Sequence, residues 1–321
     1  MTLRAGIDLG GTKMQAIVVD EHDEVLGQAR LPTPTTGGPD GVVAALAESV
    51  EQACAQAGVA VDALAGVGLG SPGAIDDAAG TVANAKNLPG WTEAPVAVAA
   101  SLAAALGTDA PVRIGNDVDV ATLAEFELGA AAEYDSLLGV FWGTGVGGGL
   151  IIGGAQHNGR GAAGEIGHMV VVLGGRRCPC GRRGCMEAYA GRNAMEARAR
   201  HLHSDKKRKT LLFEIMRERK RDRLTAGVWS RALDRGDELA LELIEEAVAA
   251  IAAAAASAVN LLDPEAVVIG GGLGVKLGQP WAERIRAEML PHLFRDDDPP
   301  AILLAGLGDL GGALGAALLV R

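Results

Sequence analysis

The sequence predicts a duplicated α/β fold. Each half of the chain opens with two apolar runs of strand length around a glycine turn, Gly10-Gly11 in the first half and Gly143-Thr144-Gly145 in the second. Helical periodicity then alternates with further apolar runs in both halves. The 321 residues are enough for two domains, so we expect one α/β unit to occur twice.

The first half opens with three apolar runs, over residues 3–8, 13–20 and 25–31, which predict an antiparallel meander. A helix is predicted from Asp40, its expected N-cap, to residue 56. The other predicted elements of this half are a strand, a helix, a strand and a helix, over residues 64–69, 96–106, 112–115 and 118–128.

The second half repeats this pattern. Residues 137–142 and 146–152 are predicted strands on either side of the second glycine turn. Helices are predicted to dominate residues 187–262, and the alanine-rich residues 239–261 have side chains suited to close packing. The last predicted elements are a buried strand and an apolar helix, over residues 267–269 and 310–319.

The predicted domain boundary follows residue 118. Residues 1–118 form an N-terminal α/β domain that the C-terminal helix, about residues 308–321, completes. Residues 119–307 form a larger α/β domain. Since no low-complexity linker separates the two, we expect them to share a central cleft.

Composition excludes several classes of protein. The net charge of −11 argues against a nucleic-acid partner, because such binding depends on neutralising phosphates with Lys and Arg. The basic segment at residues 206–223 lacks interleaved aromatic residues and is interpreted as a solvated helical connector. No uninterrupted apolar run reaches 18 residues, so we expect no membrane partner. A signal-peptide pattern is absent, which predicts a cytoplasmic protein.

A cluster of cysteines next to a histidine predicts a metal site. His168, Cys178, Cys180 and Cys185 offer one imidazole and three thiolates, the ligand set of a closed tetrahedral zinc site. Buried or disulfide-linked cysteines are the alternative, but three clustered cysteines suit a metal better than disulfides. The remaining cysteine, Cys54, lies on an apolar helix face and is expected in the core.

The glycine turns are candidate phosphate sites, because main-chain N–H groups without neighbouring side chains approach anions closely. An ordinary hairpin turn is the alternative for each of them. A third glycine cluster follows a buried strand, where a nucleoside base would lie flat against the backbone. The candidate nucleotide-binding residues are Asp8, Gly10, Gly11, Thr12, Lys13, Gly143, Thr144, Gly145, Gly271 and Gly272, with Asp8 also expected to hold a water of hydrated Mg²⁺.

One glycine pattern is rejected as a dinucleotide site. Gly68, Gly70 and Gly73 have the spacing of the dinucleotide fingerprint and follow a predicted strand. That fingerprint has to open a helix, whereas Pro72 and a turn-rich segment occur here.

Carboxylates near the cysteine cluster predict a site for hydroxyl groups and hence for a sugar. Glu165 lies three residues before His168, and Glu187 closes the cysteine segment. We expect a metal at His168 to fix both carboxylates near it and apart from the glycine turns, although surface charges are the alternative. Asn116 and Asp117 follow a predicted strand, where helix capping is favoured by position alone.

Six motifs together resemble the ROK family of bacterial sugar kinases and repressors. They are DLGGTK at residues 8–13, NLPGW at 87–91, GND at 115–117, GTGVGGG at 143–149, GEIGH at 164–168 and CPCGRRGCME at 178–187. The resemblance implies an actin-like ATPase (ribonuclease-H-like) fold with two domains around a central cleft. It also implies that Asp117 is the catalytic base. The residues that it implies as sugar ligands are Asn87, Asn116, Asp117, Glu165, His168 and Glu187. Lys86 departs from the proline that many relatives carry, which leaves the edge of the sugar pocket open.

The resemblance implies an ATP-dependent kinase that phosphorylates the 6-hydroxyl of a hexose, with glucose as the expected substrate. ATP, Mg²⁺ and a structural Zn²⁺ are the expected cofactors, and a homodimer or homotetramer is the expected assembly. N-acetylmannosamine, fructose, allose or mannose remain open as substrates, and polyphosphate as donor. A sugar-sensing repressor is disfavoured because Asp8 leaves no room for a preceding helix-turn-helix. A silent sugar-binding protein is disfavoured because Asp8, Lys13 and Asp117 occur together.

Overall fold

The computed structural model describes residues 2–92 and 94–321. Within them the chain forms two compact units. The first unit comprises Met1–Ala132, Asn158–Ala162 and Gly306–Arg321, and the second comprises Glu133–His157 and Ala163–Ala305. The domain boundary predicted after residue 118, and the cleft between domains, stay predictions.

The strands of the described residues are β1 (Leu3–Leu9), β2 (Lys13–Val19), β3 (Val25–Pro32), β4 (Leu64–Ser71), β5 (Ala74–Asp76), β6 (Thr81–Ala83), β7 (Val112–Asn116), β8 (Leu137–Trp142), β9 (Val146–Ile152), β10 (Ala155–Gln156), β11 (Ala266–Gly270) and β12 (Ala301–Leu304). The α-helices are α1 (Gly38–Ala57), α2 (Val98–Leu106), α3 (Asp117–Glu127), α4 (Glu187–Ala190), α5 (Arg192–Ser204), α6 (Leu212–Glu218), α7 (Ala226–Asp234), α8 (Glu238–Leu262), α9 (Gly271–Leu277), α10 (Gln279–Met289) and α11 (Gly311–Leu318).

The two units contain sheets of the same topology. In the first unit the strand order is β3-β2-β1-β4-β7, and in the second it is β10-β9-β8-β11-β12. In each sheet, the three strands that come first in the chain are antiparallel neighbours. The two later strands run parallel to the earliest one: β4 pairs with β1 and β7 with β4, while β11 pairs with β8 and β12 with β11. With the separate β5–β6 hairpin set aside, each sheet uses its strands in the same chain order. The duplicated α/β fold and the antiparallel meander predicted from the sequence are therefore confirmed.

The C-terminal helix α11 packs against β1 and β4 of the first sheet. The close approach of α11 to the sheet depends on two glycines. A Cβ at Gly6 would overlap the carbonyl oxygen of Ala313, and a Cβ at Gly68 would overlap the carbonyl oxygen of Ala316. The alanines of α11 leave the short distance between backbones that this contact requires. Residues at the end of the chain are thus part of the core beside β1.

The long helix α8 forms the core of the second unit. Its N-terminus is capped by Asp237, whose side chain accepts a hydrogen bond of 2.7 Å from the N–H of Ala240. Its alanines are almost all buried, and α10 packs along it. The close packing predicted for the alanine-rich segment is confirmed.

Two local predictions were wrong. Asp40 is not the N-cap of α1: Gly37, with a φ of 85°, holds that position and Pro39 lies in the first turn. Proline suits this place because its fixed φ is helical and its missing N–H has no helical partner there. The basic segment at residues 206–223 is helical only over α6, so a continuous helical connector is not formed.

The rejection of the dinucleotide fingerprint is confirmed. The strand β4, which carries Gly68 and Gly70, leads into the β5–β6 hairpin rather than into a helix. Gly73 adopts a φ of 109° at this turn. None of the helices described combines the length and apolar character that crossing a bilayer requires.

Candidate functional site

The cysteine and histidine side chains predicted as metal ligands converge on one point. The ligand atoms of His168, Cys178, Cys180 and Cys185 all lie within 4.8 Å of one another. The Sγ atoms of Cys180 and Cys185 are 3.8 Å apart, and Cys178 Sγ is 3.8 Å from His168 Nδ1. Two sulfurs bound to one tetrahedral zinc at about 2.3 Å would be separated by about 3.8 Å. These side chains therefore fit a zinc ion.

Disulfide formation does not account for this cluster. All four cysteines of the chain are free thiols, and the 3.8 Å between Cys180 and Cys185 is far beyond a sulfur–sulfur bond of about 2.05 Å. Burial raises the pKa of the Cys178 thiol to about 12. A metal that binds here has to displace thiol protons, because the ligand is the thiolate.

The backbone around the cysteines folds back on itself in a tight loop. The N–H of Cys178 donates to the carbonyl of Arg182 at 2.8 Å, and a bridge between Val170 and Cys185 closes the base of the loop. Gly184, with a φ of 83°, lies so close to Val172 that a Cβ would overlap its carbonyl oxygen. Glycine at this position therefore allows the loop to bring three sulfurs together.

Glu187 connects the cysteine loop to the second glycine turn. Its Oε1 lies 3.7 Å from Cys178 Sγ, and its Oε2 accepts a 3.0 Å hydrogen bond from the N–H of Val146. A Cβ on Gly145 would overlap the same carboxylate. The expected separation of Glu187 from the glycine turns was therefore wrong, because the loop returns the chain to the start of β9.

Glu165 lies on the other side of the histidine. Its Oε2 is 3.9 Å from His168 Nε2, while the Nδ1 atom of the ring faces Cys178. Glu165 ends the turn before a short 3₁₀ helix, Ile166–His168, and 58% of its side chain is exposed. The two nitrogens of His168 thus face a sulfur and a carboxylate, as expected for a ligand oriented by a neighbouring acid.

The second glycine turn is fastened to the start of α5. The N–H groups of Arg192 and Asn193 donate to the carbonyls of Gly143 and Thr144, at 3.2 and 3.1 Å. The guanidinium of Arg192 also donates to Thr144 Oγ1 at 2.8 Å. Arg192 is not among the residues predicted from the sequence, because only its position one residue after Gly191, at the end of α4, brings it to the turn.

The third glycine cluster lies beside this turn in the second unit. A Cβ on Gly143 would be 3.9 Å from the N atom of Gly272, and a Cβ on Gly271, which has a φ of 77°, would overlap the backbone of Trp142. The structure thus brings two of the predicted glycine clusters together. Their backbone is bare enough for a flat ligand.

In the first unit, the first glycine turn contacts Asn87. The N–H of Gly10 donates to the carbonyl of Lys13 at 2.9 Å, and a Cβ on Gly11 would be 2.9 Å from Asn87 Cβ. The ammonium of Lys13 lies 3.6 Å from Asp309, so the positive charge expected at this turn is shared with a carboxylate. Thr12 is exposed at the turn.

Asp8 lies at the end of β1, against the start of α11. A Cβ on Gly312 would be 2.8 Å from Asp8 Cγ, which shows how closely the helix covers this carboxyl. Burial raises the pKa of Asp8, while the positive charge of Lys13 opposes the shift. A nearby cation stabilises the charged form of such a carboxyl, and oxygen ligands of this type are those Mg²⁺ prefers.

Asn116 and Asp117 mark the junction of β7 and α3. Asn116 is the N-cap of α3, with its Oδ1 accepting from the N–H groups of Val118 and Asp119 at 2.9 and 3.3 Å. The capping interpretation is therefore confirmed for Asn116. Asp117 is the first residue of the helix, and its Oδ1 accepts from Val118 at 3.0 Å. The carboxylate thus lies at the positive end of the helix dipole.

Comparisons with known proteins agree over the whole chain. The sequence model of the ROK family matches residues 4–321. A glucokinase of Streptomyces coelicolor is 32% identical, covering 100% of this chain and 98% of the relative. An N-acetyl-D-glucosamine kinase of Pectobacterium atrosepticum is 33% identical, covering 98% of this chain and 97% of the relative.

A solved structure extends the agreement to three dimensions. A ROK family glucokinase from Streptomyces griseus, in complex with glucose and AMPPNP, is 32% identical and has a TM-score of 0.81. The match covers 99% of this chain and 98% of that structure. Because ROK sugar kinases have the actin-like ATPase fold, the fold class predicted from the sequence is confirmed.

We expect purified protein to contain about one zinc per chain, because three thiolates and an imidazole fill a tetrahedral shell. Cys180→Ser should lose the zinc and lower the melting temperature, since metal binding at such a site also stabilises the fold. Cys54→Ser, at a buried cysteine of the first unit, is the matched control and should keep the zinc. Elemental analysis and thermal unfolding measure both effects. Zinc-free protein that melts like the zinc-loaded form would contradict this assignment.

Glu187→Ala should destabilise the protein by about 1–3 kcal/mol, because the N–H of Val146 loses its acceptor. The control is Glu165→Ala, which removes an exposed carboxylate and should change stability by no more than about 0.5 kcal/mol. Denaturant titrations of the zinc-loaded proteins give both values. Equal stability of the two variants would show that Glu187 does not hold the second glycine turn.

Proposed function

We propose that this chain, which belongs to the ROK family, is an ATP-dependent hexose kinase that converts glucose to glucose 6-phosphate. The observation that carries the proposal is the match, over nearly the whole of both chains, to a glucokinase that binds glucose and AMPPNP. The side chains of the candidate site supply the groups that such a reaction requires, as follows.

For the sugar, we assign side chains whose oxygen or ring nitrogen atoms form hydrogen bonds with hydroxyl groups. Glu165, His168 and Glu187 lie around the cysteine cluster of the second unit. Asn87 and Asn116 are the assigned ligands in the first unit. Carboxylates accept stronger hydrogen bonds than neutral groups, so each one that contacts a hydroxyl favours a polyhydroxylated ligand. Zinc bound to the cluster supplies no chemistry, since all four of its positions are filled by side chains.

For the phosphoryl transfer, we assign Asp117 as general base. Its carboxylate accepts the proton of the sugar's 6-hydroxyl while that oxygen forms a bond to the γ-phosphorus. The bond from the γ-phosphorus to the bridging oxygen breaks, and ADP leaves with the electron pair. The hydrogen bond that Val118 donates to Asp117 Oδ1 fixes the orientation of the carboxylate. In the absence of the base, the hydroxyl is a weaker nucleophile.

For the nucleotide, we assign the three glycine clusters and two hydroxyl side chains. Gly10, Gly11, Thr12 and Lys13 form the phosphate turn of the first unit. Gly143, Thr144 and Gly145 form that of the second unit, and Gly271 and Gly272 face the nucleoside. Mg²⁺ neutralises phosphate charge when bound, and Asp8 offers the carboxylate oxygens that would hold its hydration shell.

The choice of sugar is the open part of this proposal. The relative from P. atrosepticum, an N-acetyl-D-glucosamine kinase, is as similar to this chain as the glucokinase is, so N-acetylglucosamine joins N-acetylmannosamine, fructose, allose and mannose as alternatives. One hydroxyl or acetamido contact decides between such sugars without changing a motif. The experiment is therefore a coupled assay over this panel, with ATP and polyphosphate as donors. Glucose with ATP should give the highest kcat/KM, and failure to phosphorylate any sugar would refute the kinase function.

Asp117→Asn should lower kcat by about two to four orders of magnitude while the Kd for glucose stays nearly unchanged, since the amide keeps the shape but cannot accept the proton. Asp119→Asn, in the same first turn of α3, is the matched control and should retain most of the turnover. Steady-state kinetics and calorimetry on the same preparations give both quantities. Turnover of Asp117→Asn near that of the unaltered enzyme would remove Asp117 from the mechanism.

A further inference from the structure

We propose that Arg192 and Arg223 form a cationic subsite, beside the second glycine turn, that binds the phosphates of a phosphoanhydride donor. The inference rests on the proposed kinase function and extends it to two residues outside the six motifs that resemble the ROK family. A nucleoside triphosphate and inorganic polyphosphate share the chemistry that this subsite recognises.

The position of Arg192 is fixed by the turn itself. It is the first residue of α5, its N–H donates to Gly143, and its guanidinium donates to Thr144 Oγ1 at 2.8 Å. A guanidinium carries five N–H donors, and in the part of the chain described here Thr144 Oγ1 is the acceptor that its side chain contacts. Since Oγ1 accepts from Arg192, its own hydrogen is left to donate to a further acceptor. The guanidinium and the hydroxyl together present donors at a turn of bare backbone.

Arg223 reaches the same region from the end of the basic segment. Its Nη2 donates to the side chain of Asn193 at 2.8 Å, and its Nε lies 3.3 Å from Glu196 Oε2. Asn193 is the residue after Arg192, so both arginines are held at the start of α5. More than half of the Arg223 side chain, 57%, remains exposed. Arg223, the last residue of the basic segment, thus carries a charge available to solvent beside the start of α5.

The local charges are unbalanced. Arg192, Arg223 and Arg200 share the carboxylate of Glu196, and Arg200 already lies 2.6 Å from it. Glu196 also accepts from the main chain of Leu224 at 2.9 Å. Burial and the neighbouring Arg223 lower the pKa of Arg192. Like charges held together by the fold are unfavourable until an anion compensates them, and here they lie in a chain whose overall charge is −11.

Phosphate is the anion that fits these groups. The planar guanidinium donates two parallel hydrogen bonds to two oxygens of one phosphate, which an ammonium group does not do. Two guanidinium groups, one hydroxyl and a glycine turn suit several linked phosphates better than a single carboxylate. The nearby Gly271 and Gly272 of the same unit would then face the nucleoside when the donor is a nucleotide.

The test is direct binding of AMPPNP, inorganic tripolyphosphate and adenosine, measured by calorimetry with Mg²⁺ on the zinc-loaded protein. Arg192→Gln should raise the Kd for AMPPNP about 10- to 100-fold and leave the Kd for adenosine within about twofold. Arg192→Lys should recover only part of the loss, because the paired hydrogen bonds are not restored. Arg223→Gln should give a smaller increase in the same direction, since its side chain is more exposed.

The matched control is Arg200→Gln. Arg200 belongs to the same helix and binds the same Glu196, but its guanidinium lies over the ring of Phe213 rather than at the turn. This variant should bind all three ligands as the unaltered protein does. Weaker AMPPNP binding by Arg200→Gln and Arg192→Gln alike would overturn the subsite, because the effect would then come from Glu196 and the fold of α5.

Other outcomes separate the subsite from the kinase function. Unchanged AMPPNP and tripolyphosphate binding by a folded Arg192→Gln variant, or an equal loss of adenosine binding, would overturn the subsite even if the protein phosphorylates glucose. Arg192-dependent binding in a protein that phosphorylates no sugar would support the subsite and refute the function. A loss confined to tripolyphosphate would support the subsite and identify polyphosphate as its ligand.

Discussion

The convergence of four side chains on one point is the constraint on which the candidate site depends. His168 and three cysteines approach within 4.8 Å only because the chain between them turns back at glycines in the left-handed region. The same return brings Glu187 to the N–H of Val146, at the first residue of β9. Through this one carboxylate, the position of the second glycine turn depends on the cysteine loop. A metal that holds the loop would therefore order the proposed sugar ligand Glu187 and the second glycine turn together.

Each unit has a glycine turn because the fold is duplicated. The two turns differ in the side chains that contact them. In the first unit, Thr33 donates to the carbonyl of Gly10 at 2.6 Å, and the cation at the turn, Lys13, is shared with Asp309. In the second unit, main-chain N–H groups at the start of α5 bond to the turn, and the guanidinium of Arg192, which interacts with Glu196, donates to Thr144. The two turns share a backbone design, but their charges differ.

The sequence predicts the regular parts of this molecule well, because they depend on local patterns. The strands at residues 137–142 and 146–152 agree with the structure residue for residue, since two continuous apolar and glycine runs on either side of a glycine turn define the ends of both strands. The metal cluster was predictable because cysteine has few other uses at that spacing. The start of α1 was not, because Asp40 and Pro39 are both good helix starters and only the backbone at Gly37 decides between them.

Contacts that depend on the three-dimensional path of a loop could not be predicted from the sequence. Glu187 is 44 residues after the turn at Gly143, counted along the chain, yet its carboxylate lies against Gly145 and Val146. Arg192 belongs to no motif, because an arginine at the start of a helix has many ordinary roles on a surface. Only the three-dimensional path of the chain places it at Thr144. Such residues are found by tracing hydrogen bonds outward from a predicted turn.

X-ray absorption at the zinc edge tests most directly whether a metal at this cluster organises the site and takes no part in the chemistry. We expect three sulfur neighbours at about 2.3 Å and one nitrogen at about 2.0–2.1 Å, with the same spectrum before and after hexose and AMPPNP are added. An oxygen neighbour that exchanges or disappears on adding hexose would mean that the metal has an open position, and would refute a purely structural role.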